Sequence, residues 1–167
     1  MVFLGGCIMK TVIQRVSRAS VTIGGVCKSS IGKGLLVLLG VGEDDGQEDI
    51  EWLVRKITAM RIFDDEAGVM NLSVMDIGGE VLVVSQFTLM ACCRKGNRPS
   101  YIKAARHEIS IPLYEAFCRK MSEQFGKEIG TGEFGAMMDV SLINDGPVTI
   151  ILDSKDRYAY RKAFNSS

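Results

Sequence analysis

MKTVIQRVSRASVTIGGVCKSSIGKGLLVLLG, residues 9–40, is the stretch that decides the fold. Residues 11–16 and 20–23 read as strands, rich in β-branched side chains and alternating apolar with polar. Gly24-Gly25 reads as a hairpin turn into a further short strand. Residues 34–39 are a continuous apolar run between glycines, the pattern of a buried strand. Four strands so early in the chain make a sheet the core of the molecule.

The next segment changes period. Asp45 is placed to cap a helix, with Glu48 three residues on completing a capping box. Ile50, Leu53, Val54, Ile57 and Met60 then recur at helical spacing. The acidic block from Glu43 to Glu51 falls in the first turn, where the helix dipole favours it. Residues 61–63 and 80–85 return to strand character, with a turn at 64–68. Ser110 is placed to cap a second helix, Pro112 lying in its first turn, and Leu113, Phe117, Cys118, Met121 and Phe125 form its apolar face before Gly126 stops it. Strands at 136–143 and 148–152 close the chain. The expected fold class is α+β: a strongly curved, barrel-like sheet packed with two main helices.

Length suits one domain. Three regions are expected: an extension at 1–8 preceding a second possible start at Met9, a single domain over 9–153, and a polar, flexible tail over 154–167. Lys and Arg total 20, as do Asp and Glu, so no whole-molecule field recruits nucleic acid. Arg94, Lys95 and Arg98, continued by Lys103 and Arg106, are locally basic. Such a patch grips a few phosphates or is simply a solvated loop. The five cysteines are odd in number and lack C-x-x-C spacing, which reads as free thiols in a reducing, cytoplasmic compartment. No apolar stretch approaches a membrane span, and residues 1–8 lack the basic start of a signal peptide.

Familiar catalytic signatures are missing. A phosphate loop ending at Gly32-Lys33 would need Gly at 27 and Ser or Thr at 34, where Cys27 and Gly34 stand. No G-x-S-x-G elbow occurs. The one histidine, His107, reads as a surface residue ahead of the second helix, and no zinc ligand set accompanies it. Asp64-Asp65-Glu66 reads as a solvated turn. No metal and no cofactor is expected.

Two segments stand out at strand ends: Ser85-Gln86-Phe87-Thr88, after the apolar run Val81-Leu82-Val83-Val84, and Asn144-Asp145-Gly146-Pro147-Val148-Thr149, before Ile150-Ile151-Leu152. Each presents hydroxyls, amides and constrained backbone on a rigid scaffold. Taken singly they are a satisfied strand end and a turn. Their order along the chain, with MKTVIQRVSRASV at 9–21, KGNRPS at 95–100 and Phe134-Gly135-Ala136-Met137 between, closely resembles the D-aminoacyl-tRNA deacylase family. The resemblance runs from Met9 to about Asp153; Cys92-Cys93 departs from the polar residues expected at that point.

The resemblance implies a homodimer with active sites at its interface, acting on the acceptor end of D-aminoacyl-tRNA and of glycyl-tRNA mischarged on tRNA for alanine. It implies a substrate pocket of Ser85, Gln86, Phe87 and Thr88, an adenosine pocket of Phe134, Ala136 and Met137, and a cis Gly146-Pro147 dipeptide screening chirality in the partner's pocket. Arg94, Lys95 and Arg98 are then candidates for tRNA phosphate contacts. An ester is activated enough to be cleaved by a positioned water and backbone N–H groups, with the neighbouring ribose hydroxyl helping. Two alternatives remain: Thr88 as a covalent nucleophile, and a non-catalytic dimeric tRNA-binding module.

Overall fold

The computed structural model describes residues 8–158. Strand β1, Lys10–Ile23, is the longest strand of the early sheet and runs through both segments expected as separate strands. It turns at Gly24-Gly25, both with positive φ, into β2, Val26–Ile31. Strand β3, Gly34–Gly40, pairs antiparallel with the first half of β1. Helix α1 is Gln47–Ala59. Short strands β4, Phe63–Asp64, and β5, Met70–Leu72, pair with each other. Strand β6, Glu80–Ser85, lies parallel to β3 and leads into a 3-10 turn, Phe87–Met90. Helix α2 is His107–Phe125, followed by β7, Gly130–Thr131, parallel to β6. The last strand, β8, Asp139–Asp153, pairs along the other edge of β1.

The sheet runs β2-β1-β3-β6-β7, with β8 added on β1. It curls until β2 meets β7: the Ser29 hydroxyl donates to the Thr131 carbonyl at 2.6 Å and accepts the Thr131 N–H at 3.2 Å. The expected barrel-like α+β fold with two main helices is therefore the observed one. Strands β3 and β6 bury both faces. Leu35, Val37, Leu39, Val81 and Val83 face a layer containing Ile50, Leu53 and Ile57 of α1 and Phe117 and Met121 of α2. Leu36, Leu82 and Val84 face the barrel interior with Val16, Ala19 and Val21. Each fully buried aliphatic side chain contributes about 1.5–3 kcal/mol. The alternation of β1 breaks twice, at the buried pair Arg15-Val16 and the exposed pair Ser17-Arg18; its first half serves the helix layer and its second half the interior.

Both helix starts differ from expectation. Helix α1 is capped at Gly46, whose N–H is held by Asp49 at 2.9 Å. Asp45 is engaged elsewhere: its oxygens accept the N–H of Met9 at 2.7 Å and of Gly42 at 2.5 Å, tying the start of β1 to the loop after β3. Helix α2 begins one turn before Ser110, because Glu43 holds the Arg106 N–H at 2.9 Å and the Arg106 carbonyl accepts from Ser110 N at 2.8 Å. Pro112 consequently lies in the second turn, leaving the carbonyl of exposed Glu108 to water. Residues 136–143 and 148–152, expected as two strands, belong mostly to the single β8, whose ladder to β1 is interrupted.

The tail expected from 154 onward begins docked. Ser154 is fully buried with its N–H on the Met9 carbonyl at 3.0 Å, and Arg157 lies 3.4 Å from Glu48 and 3.6 Å from Asp49. Residues 159–167, and 1–7 of the expected extension, lie outside the described residues. Among those described, no helix is long and apolar enough to cross a membrane.

Burial pushes the Asp45 carboxyl up to about 7, outweighing the two N–H groups that favour its charge. A raised acid binds more protons folded than unfolded, so stability is greatest below its ordinary value and falls as pH climbs to about 7. Thermal melts should show a lower Tm at pH 8 than at pH 5, and Asp45→Asn should flatten that slope.

Candidate active site

The C-terminal end of β6 opens into a cleft of about 360 Å³. Ser85, Gln86 and Phe87 line one wall. Phe134, Ala136, Met137 and Met138 line another, from the loop between β7 and β8. Ala105, His107 and Ser110, at the start of α2, complete it. The structure thus brings the expected substrate-pocket and adenosine-pocket residues into one cavity, with Thr88 just outside its lining.

The wall at Ser85–Phe87 is set by backbone. The Gln86 N–H donates to the Leu39 carbonyl at 2.7 Å, which pins the end of β6 to the end of β3. Phe87 opens the 3-10 turn, so its N–H has no acceptor within that turn. Its ring, 54% exposed, meets the Tyr101 ring edge-on at 5.0 Å between centroids. The Gln86 side-chain amide donates to the Thr88 hydroxyl at 2.5 Å. A nucleophilic Thr88 would need a base to accept its proton, and this contact instead engages the oxygen as an acceptor.

His107 stands at the first position of α2 rather than ahead of the helix. It is exposed, as expected, yet it borders the cleft with its ring edge-on to Phe134 at 5.6 Å. Ser110, expected as a cap, is buried beside the cleft with a hydroxyl that has no partner among the described residues. Helical spacing from 107 to 110 would have linked the two, had the helix been started one turn earlier. Tyr114, a turn further on, was also missed: it is buried under Phe134 and donates its hydroxyl to the Val83 carbonyl at 3.0 Å. Burial also drives its phenol pKa upward, so it stays a neutral donor.

Gly146 and Pro147 do not reach this cleft. The β1–β8 ladder jumps from Gln14↔Thr149 to Val16↔Asn144, and the residues between bulge outward as an exposed loop. Their peptide bond is cis. Arg15, only 8% exposed, braces the loop from below. Its guanidinium donates to the carbonyls of Asp145 at 3.1 Å and Ile62 at 2.7 Å, with the Asp145 carboxylate at 3.3 Å and Asp64 at 3.6 Å. The Asn144 amide donates to the Arg15 carbonyl at 3.1 Å and the Val148 carbonyl at 2.9 Å, closing the loop's neck. Gly146 has φ +127°, and a Cβ there would lie 2.8 Å from Val148 and 3.0 Å from Arg15. Gly146 and Pro147 are therefore exposed on a segment held from several sides.

Arg94, Lys95 and Arg98 lie, exposed, on a hairpin closed by paired backbone bonds between Cys92 and Ser100 at 2.8 and 2.9 Å. They stand outside the cleft lining. Cys27, Cys92, Cys93 and Cys118 are free thiols; Cys7 lies outside the described residues.

Comparison with known proteins gives these features a family. The family model described as D-Tyr-tRNA(Tyr) deacylase matches residues 12–153. A D-aminoacyl-tRNA deacylase of Bacteroides thetaiotaomicron is 66% identical over 149 residues, 89% of this chain and 99% of that one. The protein of the same name from Flavobacterium psychrophilum is 61% identical over the same shares. A solved structure titled c-Myc DNA Unwinding Element Binding Protein is 47% identical with a TM-score of 0.82, covering 86% of this chain and 97% of that one. Another, titled as a probable eukaryotic D-amino acid tRNA deacylase, shares the fold at 16% identity and a TM-score of 0.75, covering 87% and 98%. Fold and matches together define a hydrolase of the deacylase class. The chain belongs to the D-aminoacyl-tRNA deacylase family.

Replacing Arg15 by Met keeps its length but leaves buried carbonyls without donors, a loss of about 2–3 kcal/mol. A Tm lowered by several degrees, read by calorimetry, is the expected outcome.

Proposed function

We propose that this chain is a cytoplasmic tRNA-editing hydrolase that cleaves D-aminoacyl-tRNA, and glycyl-tRNA mischarged on tRNA for alanine, to free amino acid and tRNA. Family membership supports the substrate class. The observation that supports the mechanism is the cleft wall at Gln86-Phe87, residues with backbone and amide groups lining a cavity with no carboxylate in its lining. The terminal adenosine packs against Phe134, Ala136 and Met137, and the ester lies along Ser85, Gln86 and Phe87.

Water attacks the ester carbonyl carbon, and the oxyanion that forms is held by the Phe87 N–H. The Gln86 amide positions the carbonyl or ribose. The bond to the ribose oxygen then breaks, and that oxygen leaves with the proton released by the water. The neighbouring 2′-hydroxyl of the ribose orients the attacking water, the role a side-chain base fills in other hydrolases.

Chirality is screened by a second copy of the chain in a homodimer. The braced Gly146-Pro147 segment is exposed and takes no part in its own cleft, which suits insertion into a partner's. An apolar pocket separates side chains by only about 1–3 kcal/mol per methylene, whereas rigid backbone excludes an L side chain by collision. Glycine, with no side chain, passes such a gate. Arg94, Lys95 and Arg98 on the exposed hairpin hold tRNA phosphates.

Incubation with matched charged tRNAs tests the reading: D-Tyr-tRNA should be hydrolysed at least about 100-fold faster than L-Tyr-tRNA. Salt-sensitive tRNA binding without hydrolysis would leave only a binding module. A terminal 2′-deoxyribose carrying a 3′-ester should slow hydrolysis about 100-fold or more with KM little changed. His107 lines the cleft and is the competing base. His107→Ala should keep kcat within about three-fold; a loss of about 100-fold would transfer the base role to the imidazole.

A further inference from the structure

The rim of the cleft carries an aromatic side chain that the hydrolytic chemistry does not use. Tyr101 is 38% exposed and packs edge-on against Phe87. Its neighbour Ile102 is 84% exposed. Tyr101 directly follows Ser100, which pairs with Cys92 at the root of the basic hairpin. The hairpin bears Arg94, Lys95 and Arg98, and Lys103 follows two residues after Tyr101. Among the described residues, none of these four cations lies within ion-pair distance of an acid. On a protein with no net charge, an aromatic ring beside four unneutralised cations is a local feature.

We propose that this rim binds the unpaired nucleotides preceding the terminal adenosine, with one base stacked on Tyr101 and the phosphates passing the hairpin cations. The proposal rests on the deacylase reading and extends it beyond the cleft. A cavity of about 360 Å³ has room for one aminoacylated nucleoside and not for the strand behind it. That strand must leave over the rim. Single-stranded nucleic acid is held by combining cations on its backbone with aromatic faces under its bases, and stacking tolerates any base. The edge-on contact with Phe87 puts Tyr101 next to the wall where the ester lies, on the side from which the strand would leave.

Substrate length separates this role from packing. Wild type, Tyr101→Ala and Tyr101→Phe are assayed on D-Tyr-tRNA and on D-tyrosyl-adenosine, an ester with no preceding nucleotide. Tyr101→Ala should raise KM for the charged tRNA about ten-fold while leaving KM for the adenosine ester unchanged. Tyr101→Phe, which keeps the stacking face, should match wild type on both. An equal rise on the two substrates would reduce Tyr101 to support for Phe87, and no rise on either would remove it from binding; each overturns the proposal. A wild type that cleaves neither ester would overturn the deacylase reading instead.

Discussion

Strand β1 is hydrogen-bonded to β2 and β3 on one edge and to β8 along the other, and that shared pairing organises the molecule. A strand that must satisfy three partners cannot stay flat. Its alternation breaks around Arg15-Val16 and Ser17-Arg18, and its hydrophobic residues divide between the helix layer and the barrel interior. At the same point the β8 ladder slips, since two residues of β1 stand opposite five steps of β8. The excess chain has to bulge, and the bulge carries Gly146 and Pro147. A buried guanidinium beside it satisfies the Asp145 carbonyl, which the broken ladder leaves unpaired, and ties it to the Ile62 carbonyl ahead of β4. The segment proposed as the chiral gate thus lies where the β1–β8 ladder breaks.

The same closure builds the cleft. Parallel β3 and β6 end together, and the Gln86 N–H bond to Leu39 fixes where the chain turns off. The 3-10 turn then starts with an N–H that has no acceptor within the turn, at a residue lining a cavity of mixed apolar and polar side chains. Polar backbone shielded from water is worth more than in water, which is what would let a site of this kind work with few ionisable groups. On the deacylase reading, the substrate completes the polar set with its own ribose hydroxyl.

Much of the architecture was legible because it depends on local pattern. The apolar run at 34–39, the glycine pair at 24–25 and the helical spacing from Ile50 to Ile57 each read correctly from the sequence. Helix starts were less legible, because tertiary contacts decided them. Asp45 is drawn off to Met9 and Gly42, so the cap passes to Gly46; Glu43 reaches across to Arg106, so α2 begins ahead of Ser110. That second shift is what hid His107 and Ser110 from the site. The residues from 85 to 87 and from 134 to 137 were joined by resemblance, and the structure supplies the shared cavity. Arg15 could not be found from spacing, since its partners lie 47 and 130 residues away.

The central claim is that cleft and gate come from different copies of the chain. Subunit complementation tests it most directly. One variant, Ala136→Trp, fills the cleft; the other, Gly146→Ala, puts a Cβ against Val148 and Arg15 and distorts the gate. Each homodimer should lack D-selective hydrolysis. After the two are mixed and allowed to exchange, random pairing gives about a quarter of all sites an intact cleft and an intact gate, so about a quarter of wild-type selective activity should return. A mixture no more active or selective than its two components would contradict the composite site.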